Sequence, residues 1–249
     1  MKNIITKTLL SSLIEIRSNK HLLFQTVRQK LVLKYRRTVL GYLWTLMNPL
    51  CMMTITAIVF SALYNVDFNS FAIYMYSGMI VFNLFSQSII NSSNAYLENQ
   101  HLITKIYIPR IIFPLSTLIT ILIDNILMAL SLSIIMFLMG AKISLSLFFI
   151  PIAYVFLFFL CLGFSLVATI STVYLRDLQH IINLFMQALL FLTPVFIKPE
   201  QLFGKVKLLY KFNPISYYIK LFREPFLDAK LPDLEVITFC FIFSIFVFL

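Results

Sequence analysis

Charged residues cut this chain into long apolar stretches. Residues 38–66, 68–97, 111–123, 125–141, 143–175 and 178–197 contain no Asp, Glu, Lys or Arg. A bilayer core about 30 Å thick is crossed by roughly 20 apolar residues as a helix. Each stretch, or the pair flanking Asp124, is long enough. Lipid offers no hydrogen bonds, so a spanning segment must satisfy its own backbone groups, as a helix does. No segment alternates apolar and polar residues as a barrel strand would. The pattern predicts six transmembrane helices, near residues 40–64, 71–93, 111–139, 146–173, 179–197 and 234–249. Pro114 suits the first turn of the third span and Pro194 the end of the fifth, while Asn48-Pro49 should kink the first. The sixth runs to Leu249 still in apolar sequence and without a basic anchor, so a few cytoplasmic residues are expected beyond it.

Two segments between the apolar runs carry their own pattern. In Lys20–Tyr35, Leu23, Phe24, Val27, Leu31 and Tyr35 fall on one helical face, with Gln25, Thr26, Arg28, Gln29 and Lys30 on the other. This predicts an amphipathic helix at the membrane interface. Val32 and Leu33 break the pattern. Lys34 falls on the apolar side, where its stem would snorkel toward headgroups. Residues 198–235 are too apolar for a solvated loop. Leu202 to Phe212 and Ile215 to Leu227 form two clusters separated by Asn213-Pro214, which predicts short re-entrant helices in the outer membrane boundary.

Composition agrees: 60% of the 249 residues are hydrophobic, 12% are charged, and mean hydropathy is +0.92. Soluble domains carry about twice that share of charge. No internal repeat or polar linker appears. Lys7 and Glu15 interrupt the N-terminal apolar run and no small-residue cleavage site follows, which argues against a cleavable leader. Cys51, Cys161 and Cys240 lie inside expected spans without metal or redox spacing, so packing or lipid contact is expected of them.

Charge sets the orientation. Residues 1–37 hold nine Lys/Arg and one acid, Glu15. With this segment in the cytoplasm, Lys105, Arg110 and Arg176 also fall inside, giving 12 of the 20 basic residues to that side. The bias favours a cytoplasmic N-terminus. Seven of the eight external basics lie in 198–235, with five acids, so the bias is uneven.

Five landmarks then occur in order. Leu33-Lys34-Tyr35-Arg36-Arg37-Thr38-Val39-Leu40-Gly41-Tyr42-Leu43-Trp44 leads into Asn48-Pro49. Leu102-Ile103-Thr104-Lys105-Ile106-Tyr107-Ile108-Pro109-Arg110 precedes Pro114. Next come Tyr174-Leu175-Arg176-Asp177-Leu178, then Leu192-Thr193-Pro194-Val195, then Asn213-Pro214 with Tyr217-Tyr218 and Arg223. Over residues 33–226 this resembles the ABC-2 type permeases of polysaccharide export, which serve O-antigen, capsule and teichoic acid. The resemblance implies an N-terminal segment (1–37) with an interface helix, then a transmembrane domain (38–249). It implies a homodimer in the bacterial inner membrane that moves a lipid-linked polysaccharide, most simply O-antigen. Two copies of a separate ATPase would bind beneath it.

The chain itself lacks the phosphate-cradling GxxxxGK[ST] loop. Its one Gly-Lys, Gly204-Lys205, has Pro199 where the first glycine would stand. No enzymatic site and no cofactor of its own are expected; ATP and Mg²⁺ would be held by the partner.

Several residues carry competing readings. Residues 94–108 would couple to the ATPase: Tyr96, Glu98, His101, Lys105 and Arg110 supply polarity, and Leu97, Leu102, Ile103 and Ile106 an apolar ridge suited to a partner's groove. Their plain alternative is an interfacial turn. Arg28, Lys34, Arg36 and Arg37 either form an inner gate that meets a lipid pyrophosphate or anchor the chain on anionic lipid. Arg176 and Asp177 either pair locally or touch the ATPase. Asp124, the one acid inside a span, is either functional or a neutral hydrogen-bonded group beside Asn125. Tyr64, Tyr74, Tyr76, Phe82, Phe85, Tyr217, Tyr218 and Phe222 either stack on sugar faces along a channel or pack the fold. The segment from Thr193 to Phe226 would form the outer gate.

Two rivals remain. An ion-gradient transporter would use Asp124, although no His or Lys lies at its expected depth. A membrane-embedded acyl- or glycosyltransferase would need a catalytic cluster, whereas His21, His101 and His180 are scattered.

Overall fold

A computed structural model describes residues 15–36, 41–105, 107–138, 144–197 and 204–248. Among them every regular element is helical. The helices are α1 (Lys20–Tyr35), α2 (Trp44–Tyr64), α3 (Phe68–Ser93), α4 (Ala95–Glu98), α5 (Gln100–Lys105) and α6 (Ile112–Leu138). There follow α7 (Ile150–Tyr174), α8 (Leu178–Phe191), α9 (Gly204–Phe212), α10 (Pro214–Arg223) and α11 (Leu234–Phe248).

Three helices are long and apolar enough to cross a membrane unaided: Phe68–Ser93, Ile112–Phe137 and the run Leu145–Tyr174 that α7 completes. The other expected spans hold shorter apolar runs, Leu50–Tyr64, Leu178–Phe191 and Leu234–Phe248. Chain punctuation explains the boundaries. Asn65 ends α2 in the left-handed conformation (φ 51°), which asparagine tolerates. Asp67 then starts α3 by accepting the Ser70 amide at 2.9 Å. Pro114 sits in the first turn of α6, where no intrahelical N–H is needed. The backbone of α2 stays helical through Asn48-Pro49.

Helix α3 is the axis of the fold, packed by α2, α6, α7 and α10. It is the least apolar of the three long spans, yet 78% of its apolar window is buried against 39% for each of the others. Its Ser77, Ser86, Ser88, Ser92 and Ser93 face protein, whereas Gln87 and Asn91 stay exposed. Along the parallel α3–α7 seam, the Ser165 hydroxyl donates to the Ser88 carbonyl (3.1 Å) and the Thr169 hydroxyl to that of Ser92 (2.7 Å). Thr172 donates to Ser93 in the same way. Small hydroxyl residues let two helices approach closely and bond across the gap. On the antiparallel α3–α6 seam, Asn125 donates to the Ile80 carbonyl at 2.9 Å and accepts from the Tyr154 hydroxyl at 2.9 Å. Helix α11 closes on α7 at Gly163, where an added Cβ would stand 2.5 Å from the Val247 carbonyl oxygen.

One expected boundary needs correction, and two expected helices gain detail. The fifth span was drawn to residue 197, but α8 ends at Phe191. Its 14 residues cover about 21 Å, short of the bilayer core. Proline disfavours helix in the residue before it, and Thr193, Pro194 and Val195 pass into a buried turn. The short helix α10 buries one face, Ile215, Tyr218, Ile219, Leu221, Phe222 and Arg223, and leaves Lys220 exposed. Finally, α1 lies along the first half of α6 with Leu23, Val27 and Leu31 of the expected apolar face turned inward, joined by Lys30. Val27 is buried, but Phe24 is 69% exposed.

Candidate functional site

Three groupings of polar residues are built by this fold. The first is the elbow after α3. Ala95, fully buried, fastens it to the bundle. Asn99 breaks the expected single helix into α4 and α5, its side-chain amide donating to the Ala95 carbonyl at 2.8 Å. Glu98, His101, Lys105, Tyr107 and Arg110 are exposed, and Leu97, Leu102 and Ile103 are half-buried beside them. Ile106 lies outside the described residues. Burial raises the pKa of the Tyr96 phenol, with the positive charge of Arg110 opposing. An exposed polar rim around a half-covered apolar strip can seat a partner.

The second grouping joins α1 to α6. The Lys30 ammonium donates to the Thr117 hydroxyl. Lys34 Nζ lies 2.6 Å from Asp124 Oδ2, and the Asp124 side chain is only 12% exposed. Lysines four apart on α1 thus meet residues two turns apart on α6, which fixes the helices in register. Burial lowers the Lys30 pKa, and the charge of Glu98 partly offsets this, linking α1 to the elbow. Asp124 has no basic neighbour along its own span, and the fold supplies one. Of the other cations expected at the inner gate, Arg28 and Arg36 are exposed and Arg37 lies outside the described residues. Arg176 and Asp177 are both exposed and form no ion pair among the described ones. Asp177 instead opens α8, its carbonyl accepting the His180 amide at 3.0 Å.

The third grouping surrounds the end of α8. The last carbonyls of a helix have no intrahelical partner, and here later side chains take them. The Tyr210 hydroxyl donates to the Phe191 carbonyl (2.9 Å) and the Asn213 amide to that of Leu192 (3.0 Å). Arg223 Nη2 donates to the Pro194 carbonyl at 2.8 Å and to that of Tyr74 at 3.1 Å. The Tyr74 hydroxyl donates to the carbonyl of Ile197 at 3.1 Å and more loosely to that of Pro194. The Arg223 guanidinium carbon stands 3.5 Å from the Tyr74 ring centroid, a cation–π contact. Gly78 leaves the space for it: a Cβ there would lie 2.7 Å from Nη2. Tyr218 secures the base of α10, its hydroxyl donating to the Cys240 carbonyl at 2.9 Å and contacting Ser244.

The eight aromatic candidates divide accordingly. Tyr74, Tyr76, Phe82, Phe85, Tyr218 and Phe222 are at most 5% exposed and serve packing inside the protomer. Tyr64 and the half-buried Tyr217 keep accessible surface, the latter against Phe239 with ring centroids 4.2 Å apart. Sequence reasoning missed the seat at Gly78 and the pairing of Lys34 with Asp124. Gly78 lies one helical turn after Tyr74, and that spacing was the available signal.

The ABC-2 type transporter profile matches residues 21–227, which takes in all three groupings. The chain belongs to the ABC-2 type transporter family. Among similar proteins of this family is an O-antigen export system permease protein RfbA of Klebsiella pneumoniae. It is 25% identical over 225 residues, covering 89% of this chain and 85% of the relative. A protein of the same name from Myxococcus xanthus is 25% identical over 223 residues, covering 89% and 86%. A second Klebsiella pneumoniae protein so named is 24% identical over 214 residues. As an ABC-2 type transporter the chain is a membrane permease, and its polar groupings are contacts that hold or dock segments.

Proposed function

We propose that this chain is the transmembrane half of an ABC exporter that moves a lipid-linked polysaccharide of the O-antigen class outward across the inner membrane. Two copies form the passage, and two copies of a separate ATPase, holding ATP and Mg²⁺, drive it. The observation that carries the reading is the family match over residues 21–227, together with relatives named as O-antigen export permeases along 82–86% of their own length. Six membrane crossings with a cytoplasmic N-terminus fit the charge asymmetry, with α8 completed by the turn after it and by α9 and α10.

In this reading the elbow at α4 and α5 docks on the ATPase, and force reaches the bundle through Ala95 and the α3–α7 seam. Movement of one protomer against the other then opens the passage in turn to each side. Arg28 and Arg36, exposed at the entry end, are available to a pyrophosphate; Lys34 is engaged by Asp124 and would have to exchange partners. Tyr64 and Tyr217 keep the accessible rings for weak sugar contacts.

The Lys34–Asp124 pair gives the ion-gradient alternative the neighbouring base that its sequence case lacked. Deleting the gene should abolish long-chain polysaccharide at the cell surface. Restoring it should require an ATPase with an intact phosphate-loop lysine. Export that persists with an inactive ATPase and follows the proton gradient would favour the alternative.

A further inference from the structure

The end of α8 is not held by helix continuation. Its closing turn is held to α3 by the Tyr74 hydroxyl, on the Pro194 and Ile197 carbonyls, and by one side chain from α10, Arg223. Arg223 is 8% exposed, and a guanidinium cannot shed its charge to ease burial. It keeps that charge by donating to two main-chain carbonyls on different segments, Tyr74 on α3 and Pro194 after α8, and by lying over the Tyr74 ring. Only a long planar cation makes both contacts at once, so lysine would be a partial substitute. Gly78 is the matching seat, since any Cβ there would push into Nη2. Immediately after Arg223 the chain forms a π-helical turn, Glu224–Asp228, and Ala229 takes a left-handed conformation (φ 53°). Such turns interrupt a helix where a side chain must be aimed. Thr193 and Val195, on either side of Pro194, are 1% and 0% exposed.

We propose that Arg223 is a positioning residue, a clasp that holds the turn after α8 against α3 and must let go for the outer end of the passage to open. Its consequence for export rests on the function proposed above; the clasp itself does not. Opening moves the Pro194 carbonyl off the guanidinium and uncovers Val195, while the stack on Tyr74 keeps the charge partnered during the excursion.

The test uses the assembled complex with its ATPase in spheroplasts, carrying Val195→Cys and Cys51→Ser, and a membrane-impermeant maleimide added outside. With the clasp intact, labelling should be slow at rest and rise during ATP turnover. Arg223→Gln should raise the resting rate on the order of tenfold or more, as expected when charge-assisted hydrogen bonds holding a segment are lost, and abolish the dependence on ATP. Gly78→Ala, which leaves the charge in place, should do the same in part. Gly78→Ala with Arg223→Lys should be slower than Gly78→Ala alone, because the shorter cation frees the crowded seat. Unchanged protection in Arg223→Gln complexes, or a double variant no slower than Gly78→Ala, overturns the clasp whether or not polysaccharide is exported. If Arg223→Gln does not assemble, the Gly78 pair decides alone. Loss of export with normal clasp labelling would count against the transport reading instead.

Discussion

Lys34 on α1 and Asp124 in the middle of α6 form an ion pair of 2.6 Å that fastens the N-terminal helix to a membrane span. The carboxylate is largely enclosed, whereas the lysine side chain is 49% exposed. The two partners are therefore unequal: removing the lysine takes the opposite charge from a mostly enclosed carboxylate, and removing the acid leaves a lysine that can reach water.

Lys34→Met should therefore destabilise more than Asp124→Asn, by about 1.5–3 kcal/mol, the range for hydrogen bonds to charged groups. The combined Lys34→Met and Asp124→Leu variant should lose less than the sum of its single changes. Thermal midpoints of the detergent-solubilised complex give this comparison; strict additivity would show that the pair is not coupled.

At the α7–α11 contact, Gly163→Leu should separate the helices, since even a Cβ meets the Val247 backbone at 2.5 Å. A destabilisation of about 1–3 kcal/mol or more is expected from overpacking. Tyr218→Phe should lower stability by about 1–3 kcal/mol by removing the donor that the Cys240 carbonyl accepts. Recovery of folded protein after solubilisation measures both, and normal yield of Gly163→Leu would contradict the close approach.

Lys30 supplies a pH signature. Its folded pKa is lowered by burial from the model-compound value of 10.5. The unfolded chain then binds more protons than the folded one between the lowered pKa and 10.5, so stability rises with pH across that window. The contribution is complete above 10.5 and is lost as pH falls through the folded pKa. Lys30→Met should remove this alkaline slope, as read from thermal midpoints between about pH 8 and 10.5. An identical slope in both proteins would place the titration elsewhere.

His101→Glu and Lys105→Glu change exposed side chains of the elbow and should leave stability within about 0.5 kcal/mol of the parent, as read from thermal midpoints. If the elbow docks on the ATPase, the same variants should weaken co-purification and reduce ATP turnover stimulated by the permease. Full stimulation in the double variant would remove the elbow from the coupling path.

The long spans were readable because lipid exposure forbids charge: the helix from Phe68 to Ser93 was expected from residue 71, and that from Ile112 to Leu138 over 111–139. The same signal overran α8. Residues 193–195 are uncharged because protein buries them, and a charge count does not separate that from burial in lipid. The wheel at α1 places Lys30 on the polar face and sends Lys34 toward headgroups, whereas they find a hydroxyl and a carboxylate on α6. At α10 the apolar clustering does not reveal that the polar ends of Tyr218 and Arg223 are met by tertiary partners. The landmark residues were visible as a sequence resemblance, but which carbonyl each would cap depends on contacts 20 to 150 residues away.

The most direct test is reconstitution of the purified chain with its neighbouring ATPase in liposomes loaded with the lipid-linked glycan. ATP should move glycan to the far leaflet, and neither the chain alone nor a complex with a phosphate-loop lysine substitution should do so. Glycan movement that needs no ATPase and follows an imposed proton gradient would contradict the account.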